Sequence, residues 1–312
     1  FSFSGTFSAT TFIGDGSALT GISSGATELN DLDDVSYVDD KLAIGEYSTA
    51  TGSYSMAFGR SSNASGNYSM AFGISSNSRN DSSLTLGYLS IVDGESSIAI
   101  GFGSDAFGDR SIAVGNNSSA FGISSAAIGY NSYASDNNST ALGANSSAAG
   151  SKSTALGTLS SATSSSSTAL GAYSSATAFN STALGTDSKA SGNSSTAIGV
   201  FSFAIESESS AIGYLSHADG TNSTAIGHEA WVTADNTIQL GNTSITDVIT
   251  SGDITATDVN ETSDRRLKTD IQPVEDASEL LASLQAYHYQ KRRNLSTDDY
   301  SNEEFGLIAQ EV

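Results

Sequence analysis

The chain has 312 residues, a formal net charge of −22, no Cys and a single Pro. Without Cys there is no disulfide framework, thiolate metal site or Cys nucleophile, and so acidic a surface would be repelled by nucleic-acid phosphates. Only 15% of the residues are charged, yet regularly spaced Ile, Leu and Phe argue against disorder, and no stretch nears the roughly 20 apolar residues of a membrane helix.

Residues 1–40 form a stem without internal period. The chain starts FSFSG and stops at AQEV, which reads as a processed or partial product. Within the stem, FIGDGSALTGI (Phe12 to Ile22) carries Gly-Asp-Gly turn chemistry before an apolar stretch. It resembles the connector that precedes repeats in phage tail fibres. The following ELNDLDDVSYVDD is densely acidic. Asp31, Asp33, Asp34, Asp39 and Asp40 offer either a calcium site or a solvated acidic turn. Their spacing fits no EF-hand loop, so the turn is preferred, and no metal or cofactor is expected.

From residue 41 to 241 the chain repeats. A Gly that closes each LAIG-type tetrapeptide recurs every 14 residues from Gly45 to Gly241, fifteen times, with no insertion or deletion. The residue before it is always apolar, from Ile44 and Phe58 to Leu240. Two before it stands Ala, except at Thr85 and Gln239; Ser recurs four before and three after; Ala follows at five and often Gly at seven. The unit S-x-A-(I/L/F)-G-x-x-S-x-A-x-G-x-x reads as strand, turn, strand, turn, because a helix would not accept Gly at a fixed place beside a β-favouring residue. Stacked at about 4.8 Å per coil, fifteen coils make a rod about 70 Å long. The columns predict an apolar residue filling the narrow interior, Ala keeping the coil thin, Ser forming hydrogen-bonded ladders and Gly supplying corners at positive φ. One thin stack buries little apolar surface alone. The Ala-rich face is therefore expected to pack on other chains, most simply in a trimer.

This column pattern resembles the head repeat of trimeric autotransporter adhesins, the YadA-like head, over about residues 41–241. The resemblance implies a left-handed parallel β-roll in a tight homotrimer. The fold expected is mainly β, with a small α+β unit at the C-terminus.

Residues 242–262 alternate β-branched and polar side chains around Gly252 and read as a neck. Composition shifts at Ser263. Half of the twelve Lys and Arg and the only Pro, Pro273, fall in residues 263–312. Asp276 to Gln285 places Leu280, Leu281 and Leu284 at helical spacing, AYHYQ reads as a strand, and EFGLIAQEV as a strand running towards a helix. SDRRLKTDI (Ser263 to Ile271) and FGLIAQEV (Phe305 to Val312) together resemble the intramolecular chaperone domain of endosialidases, phage tail spikes and fibres. That family cuts its own chain before a Ser with a Ser–Lys dyad. Carried over, the nucleophile is Ser263, the base Lys268 and the scissile bond Thr262–Ser263. A Ser hydroxyl needs an adjacent base, and Lys serves only when its pKa falls well below about 10.4. Arg265 and Arg266 push that way and Asp264 opposes them. The family domain normally continues beyond its AQEV motif, where this sequence stops, so the unit reads as truncated.

The three His, at 217, 228 and 288, offer no Ser-His-Asp hydrolase in the rod. A slender coil offers no deep groove for paired glycosidase carboxylates, so no catalysis on an external substrate is expected. Variable columns carry aromatics. Tyr130, Tyr133, Tyr173, Phe201, Phe203 and Tyr214 are candidate receptor contacts, although packing between coils or chains is the preferred reading of such rings. Trp231, the only Trp, is placed as a cap on the last coil. The function expected is a homotrimeric phage-like tail fibre outside the cell. It would join other virion tail proteins, bind a host-surface glycan or protein, and insert into no membrane. A cell-surface adhesin and a purely structural fibre are the alternatives.

Overall fold

The computed structural model describes residues 34–245, 247–249, 272–273, 275, 277–279, 284–292 and 300–306. They fall into two units divided between Val248 and Ile249. The stem before Asp34, most of the neck, Thr262, Ser263 and Lys268 lie outside the described residues.

The first unit is a parallel β-solenoid of 14 residues per turn. Each turn contributes a three-residue strand, such as Ile98–Ile100, and a two-residue strand, such as Asp105–Ala106. The longer strands form a 16-stranded sheet and the shorter ones a 14-stranded sheet, each in sequence order. Every register is offset by 14: Ala99 pairs with Ala113 and Ala106 with Ala120. Inter-coil backbone bonds are short, as from Met56 N to Ser69 O at 2.9 Å and from Ser147 N to Ser160 O at 2.9 Å.

The interior corrects the sequence expectation. Ala fills it: Ala57, Ala99, Ala106 and their equivalents through Ala225 are fully buried, together with the Ser of both columns. The apolar residue before each Gly points outward, and Leu142 and Leu170 are 38% and 37% exposed. The physical reason is width. Two sheets closed by seven-residue half-coils leave room only for methyl and hydroxymethyl groups, so the bulkier alternating residue must take the outer face. It follows that the Ala columns cannot pack on another chain, and the outward Ile, Leu and Phe column can.

The half-coil is itself a repeat. Ser55, Ser62 and Ser69 are seven apart, as are Ala57, Ala64 and Ala71. The same period governs the corners, where Tyr47, Tyr54, Ser61 and Tyr68 begin a series of positive φ near 57° that reaches Asn236. The expectation that Gly supplies the positive-φ corners holds for the Gly45 column and not for this second series, in which all but Gly103 are non-Gly. Left-handed backbone is costly for such residues. Here it is held because the corner N–H bonds to the previous coil, as from Ser61 N to Glu46 O at 2.8 Å. Gly45 and its equivalents occupy a different place, with φ between +118° and +157° from Gly45 to Gly227.

Ser does not form ladders. Ser62, Ser160, Ser174 and Ser202 each donate from Oγ to the carbonyl three residues back at 2.8–2.9 Å, clamping the turn from inside. Side-chain bonds between coils lie mostly outside, at the corners: Asn131 Nδ2 to Asn145 Oδ1 and Asn222 Nδ2 to Asn236 Oδ1 are both 2.9 Å; inside, Ser97 Oγ donates to Gly108 O at 2.8 Å and accepts from Ser111 N at 3.0 Å. Ser153 Oγ is buried without a hydrogen-bond partner among the described residues. Ser174→Ala should therefore cost about 1 kcal/mol and Ser153→Ala close to nothing. Thermal midpoints of the two variants check this; equal losses would refute the clamp.

Polar departures within the core are satisfied. Where Ala gives way to Thr85 and Ser78, Thr85 Oγ1 donates to Asn77 O at 2.9 Å and the Ser78 and Ser83 hydroxyls meet at 2.7 Å. At the N-terminal edge the acidic segment is more than a turn. Val35–Val38 pairs antiparallel with Lys41–Ile44 through Asp39 and Asp40, both at positive φ. This is the geometry of a tight two-residue hairpin, and it covers the sheet edge.

The second unit contains an antiparallel pair, Tyr287–Arg292 with Tyr300–Gly306, irregular between Gln290 and Arg292. His288 stacks on Phe305 at 4.6 Å and lies 3.3 Å from Glu303 Oε2. The first strand agrees with the sequence reading, whereas the second begins at Tyr300, ahead of the Glu304 at which the sequence placed its start. Of the expected helix, residues 277–279 are helical.

Candidate functional site

Two outward faces result from this packing, and they differ. On the longer-strand sheet each Ala is flanked by outward residues on both sides. After it comes Ile, Leu, Phe or Val, giving one apolar side chain per coil from Ile44 to Leu240. Before it stand Leu42, Met56, Met70, Leu84, Ile98 and Ile112, and then Thr140, Thr154, Thr168, Thr182 and Thr196. The apolar face is thus two residues wide at the N-terminal end and one wide, beside a Thr column, further on. The shorter-strand sheet shows Ser119, Ser147, Ser161 and Ser175 outward in its middle. The rod is amphipathic along its length. A contiguous apolar stripe about 70 Å long is the kind of surface that marks an interaction site on a protein.

Aromatic side chains sit on the corners, on the shorter-strand face and, at Phe58 and Phe72, on the longer-strand face. Rings 14 apart stack: Tyr54 on Tyr68 at 5.2 Å, Phe58 on Phe72 at 4.9 Å and Phe107 on Phe121 at 5.0 Å. Packing between coils, preferred from sequence, is observed at these pairs. Tyr133 tilts onto Phe121 at 5.7 Å, while Tyr130 and Tyr173 are exposed at corners. Near the C-terminal end of the rod the structure brings Phe201 and Tyr214 together, edge-on at 6.4 Å, and sets Phe203 in a different pair, stacked on His217 at 4.7 Å. Sequence reasoning missed their partners His217, His228 and Trp231. Their signal was the 14-residue spacing of 203, 217 and 231, and of 214 and 228. Trp231 lies in the last short strand, Trp231–Val232, and does end its column.

Electrostatics on the shorter-strand face centre on Arg79, whose Nη1 is 3.0 Å from Asp93 Oδ2. Burial first, and the Asp93 charge second, push the neighbouring Asp105 carboxyl above the usual carboxylate range. Among the described residues no group of three or more His, Asp or Glu could hold a metal ion, and no helix is long and apolar enough to cross a membrane. The expected dyad, Ser263 and Lys268, and the Thr262–Ser263 bond are outside the described residues.

These features define a repeat protein of adhesin-head type joined to a separate C-terminal unit. The model of the YadA head domain repeat matches in overlapping or successive segments from residues 42–62 to 218–244. The chain belongs to that family. Residues 263–312 match the chaperone of endosialidase, Peptidase_S74. One solved structure similar to it is the collagen-binding domain of the Yersinia adhesin YadA, 29% identical over 55% of this chain and 82% of that one, with a TM-score of 0.31. Among curated proteins none matches the chain.

Proposed function

We propose that this chain forms a homotrimeric attachment fibre. The β-solenoid is its shaft or head, and the C-terminal unit sets the register of three chains before cutting itself away between Thr262 and Ser263. The observation that carries the assembly is the outward apolar column opposite a hydrophilic face. Three such rods arranged with apolar faces inward cover one another and leave the polar faces in water, and YadA-like proteins form homotrimers. The chaperone match supports a register device. A slip of 14 residues would satisfy nearly every column, so wrong registers lie close in energy.

A virion tail, with other tail proteins as partners and a host glycan or protein as receptor, is the setting we favour, because this resembles the fusion seen in phage fibres. Tyr130, Tyr133, Tyr173, Phe201, Phe203 and Tyr214 are its candidate receptor contacts. The head-repeat match equally favours a cell-surface adhesin. Flanking tail genes would support the first setting, and a membrane β-barrel in the same reading frame the second. Light scattering and denaturing mass on the full-length product test the assembly. The native chain should be trimeric and shortened at Ser263, and Ser263→Ala should be trimeric and uncut. A monomer would refute the assembly, and normal cutting in Ser263→Ala would refute the dyad.

A further inference from the structure

The outward column of the shorter-strand sheet ends in three rings. Phe203 stacks on His217, and His217 meets Trp231 at 5.5 Å and 42°. Within such a column each ring is covered by the coil before and the coil after. Trp231 stands in the last short strand, so His217 covers one side of the indole and, among the described residues, no further ring covers the other. The side chain is 64% exposed. A groove of about 660 Å³ lies there, lined by Leu215, His217, Glu229, Trp231, Gln239 and Asn242 among others. The indole is held in place, since Nε1 donates to Asp219 Oδ2 at 2.8 Å.

The end of a coil stack explains some departures from the repeat at this point. Gln239 replaces an interior Ala where the stack meets water, and its amide donates to Gly241 O at 3.0 Å. It does not explain an indole, because a terminal coil favours polar surface and Trp231 adds the largest apolar side chain there is. A groove that combines an apolar platform with a few convergent polar groups is the usual form of a small-ligand site.

We infer that this groove is a subsite for a neutral hexopyranose of a surface glycan. The flat C–H face of the sugar fits the indole, an amphipathic ring suited to surfaces that are apolar on one side and wet on the other. The Glu229 carboxylate accepts from sugar hydroxyls, and the amides of Gln239 and Asn242 can donate. That carboxylate, on a chain of net charge −22, repels sialylated and sulfated sugars. The inference deepens the attachment reading and rests on it for its biological sense.

Trp231 is the only Trp, so indole-selective emission reports this groove alone. The intact purified fibre is screened on an array of neutral and acidic oligosaccharides, and the strongest neutral hit is titrated while emission is followed. A saturable emission change is expected. Trp231→Ala, which lacks the indole and is therefore titrated by calorimetry beside the native fibre, should lose at least about tenfold in affinity, roughly 1.4 kcal/mol, and Trp231→Phe by the same method should keep part of the binding, both at unchanged circular dichroism and oligomer mass. The inference is overturned if no neutral sugar alters the emission, if only acidic sugars bind, or if acrylamide cannot reach Trp231 in the intact fibre because a following segment covers it. Glycan binding by a monomeric product would instead overturn the trimer and leave this subsite standing.

Discussion

Replacing Leu156, Leu170 and Leu184 together by Asp should convert the trimer to monomers at concentrations where the unaltered chain is fully assembled. These three occupy successive coils on the outward apolar column. Burying one Leu is worth about 2 kcal/mol, and the substitution removes that gain at three positions in each of three chains while placing carboxylates against one another. Light scattering reads the mass directly. Ser161→Asp with Ser175→Asp on the opposite sheet supplies the control, because that face is expected to remain in water and the trimer to persist. The thin coil could unfold once unpaired, so the milder Leu→Thr set is needed as well. Thr already stands in the adjacent outward column at 154, 168 and 182, and the backbone accepts it. That variant should stay β-rich by circular dichroism yet assemble more weakly. A folded, fully trimeric Asp variant would show that the apolar column faces something other than a sister chain.

Gly157→Ala is expected to be among the most destabilising single substitutions in the rod, by about 3 kcal/mol or more. Its φ is +137°, and an added Cβ would lie 2.5 Å from Gly171 O and 2.7 Å from Gly171 C. A left-handed conformation for a residue with Cβ costs about 1–3 kcal/mol, and the collision is with backbone, which moves only if the next coil moves. Gly150→Ala is the telling comparison. Its added Cβ would come as near as 2.1 Å to Ser164, but its φ is not in the left-handed range. The equivalent coils carry Asn80, Asp136, Ser164, Ala178, Glu206 and Ala234, so the rod adjusts at that corner. Thermal unfolding should separate the two by at least several degrees. Equal losses would mean that coil spacing, rather than dihedral angle, limits both positions.

Most of the architecture was legible because a period without insertions leaves few folds open. Gly45 to Gly241 at constant spacing dictates a solenoid, and the strand at Tyr287 was readable from its alternating aromatics, Tyr287 and Tyr289. What was misread is which side of the strand faces in. Hydrophobicity alone sends Ile100 or Leu170 to the interior and Ala99 or Ala169 to the margin. The closing radius of a seven-residue half-coil reverses that, and radius is a property of the assembled turn rather than of any residue. The same holds for corners such as Tyr68, Leu89 and Phe201. Their side chains disfavour positive φ, and only the inter-coil hydrogen bond of the folded turn compensates. The aromatic group at the C-terminal end was half visible. Phe201, Phe203 and Tyr214 were recognised as rings, while His217 and Trp231 joined them only once residues 14 apart were set side by side.

The ladders that stack the coils have a mechanical meaning. Both sheets hydrogen-bond from one coil to the next, so the bonds point along the rod and the strands lie across it. Tension between the two ends of the shaft therefore pulls on those bonds lengthwise, one junction after another in series. With nearly identical columns at every junction, load has no designated place to concentrate. A coil that does give way releases 14 residues of chain, about 45 Å when extended, in exchange for one step of about 4.8 Å along the axis. The rod resists small loads stiffly and dissipates large ones coil by coil.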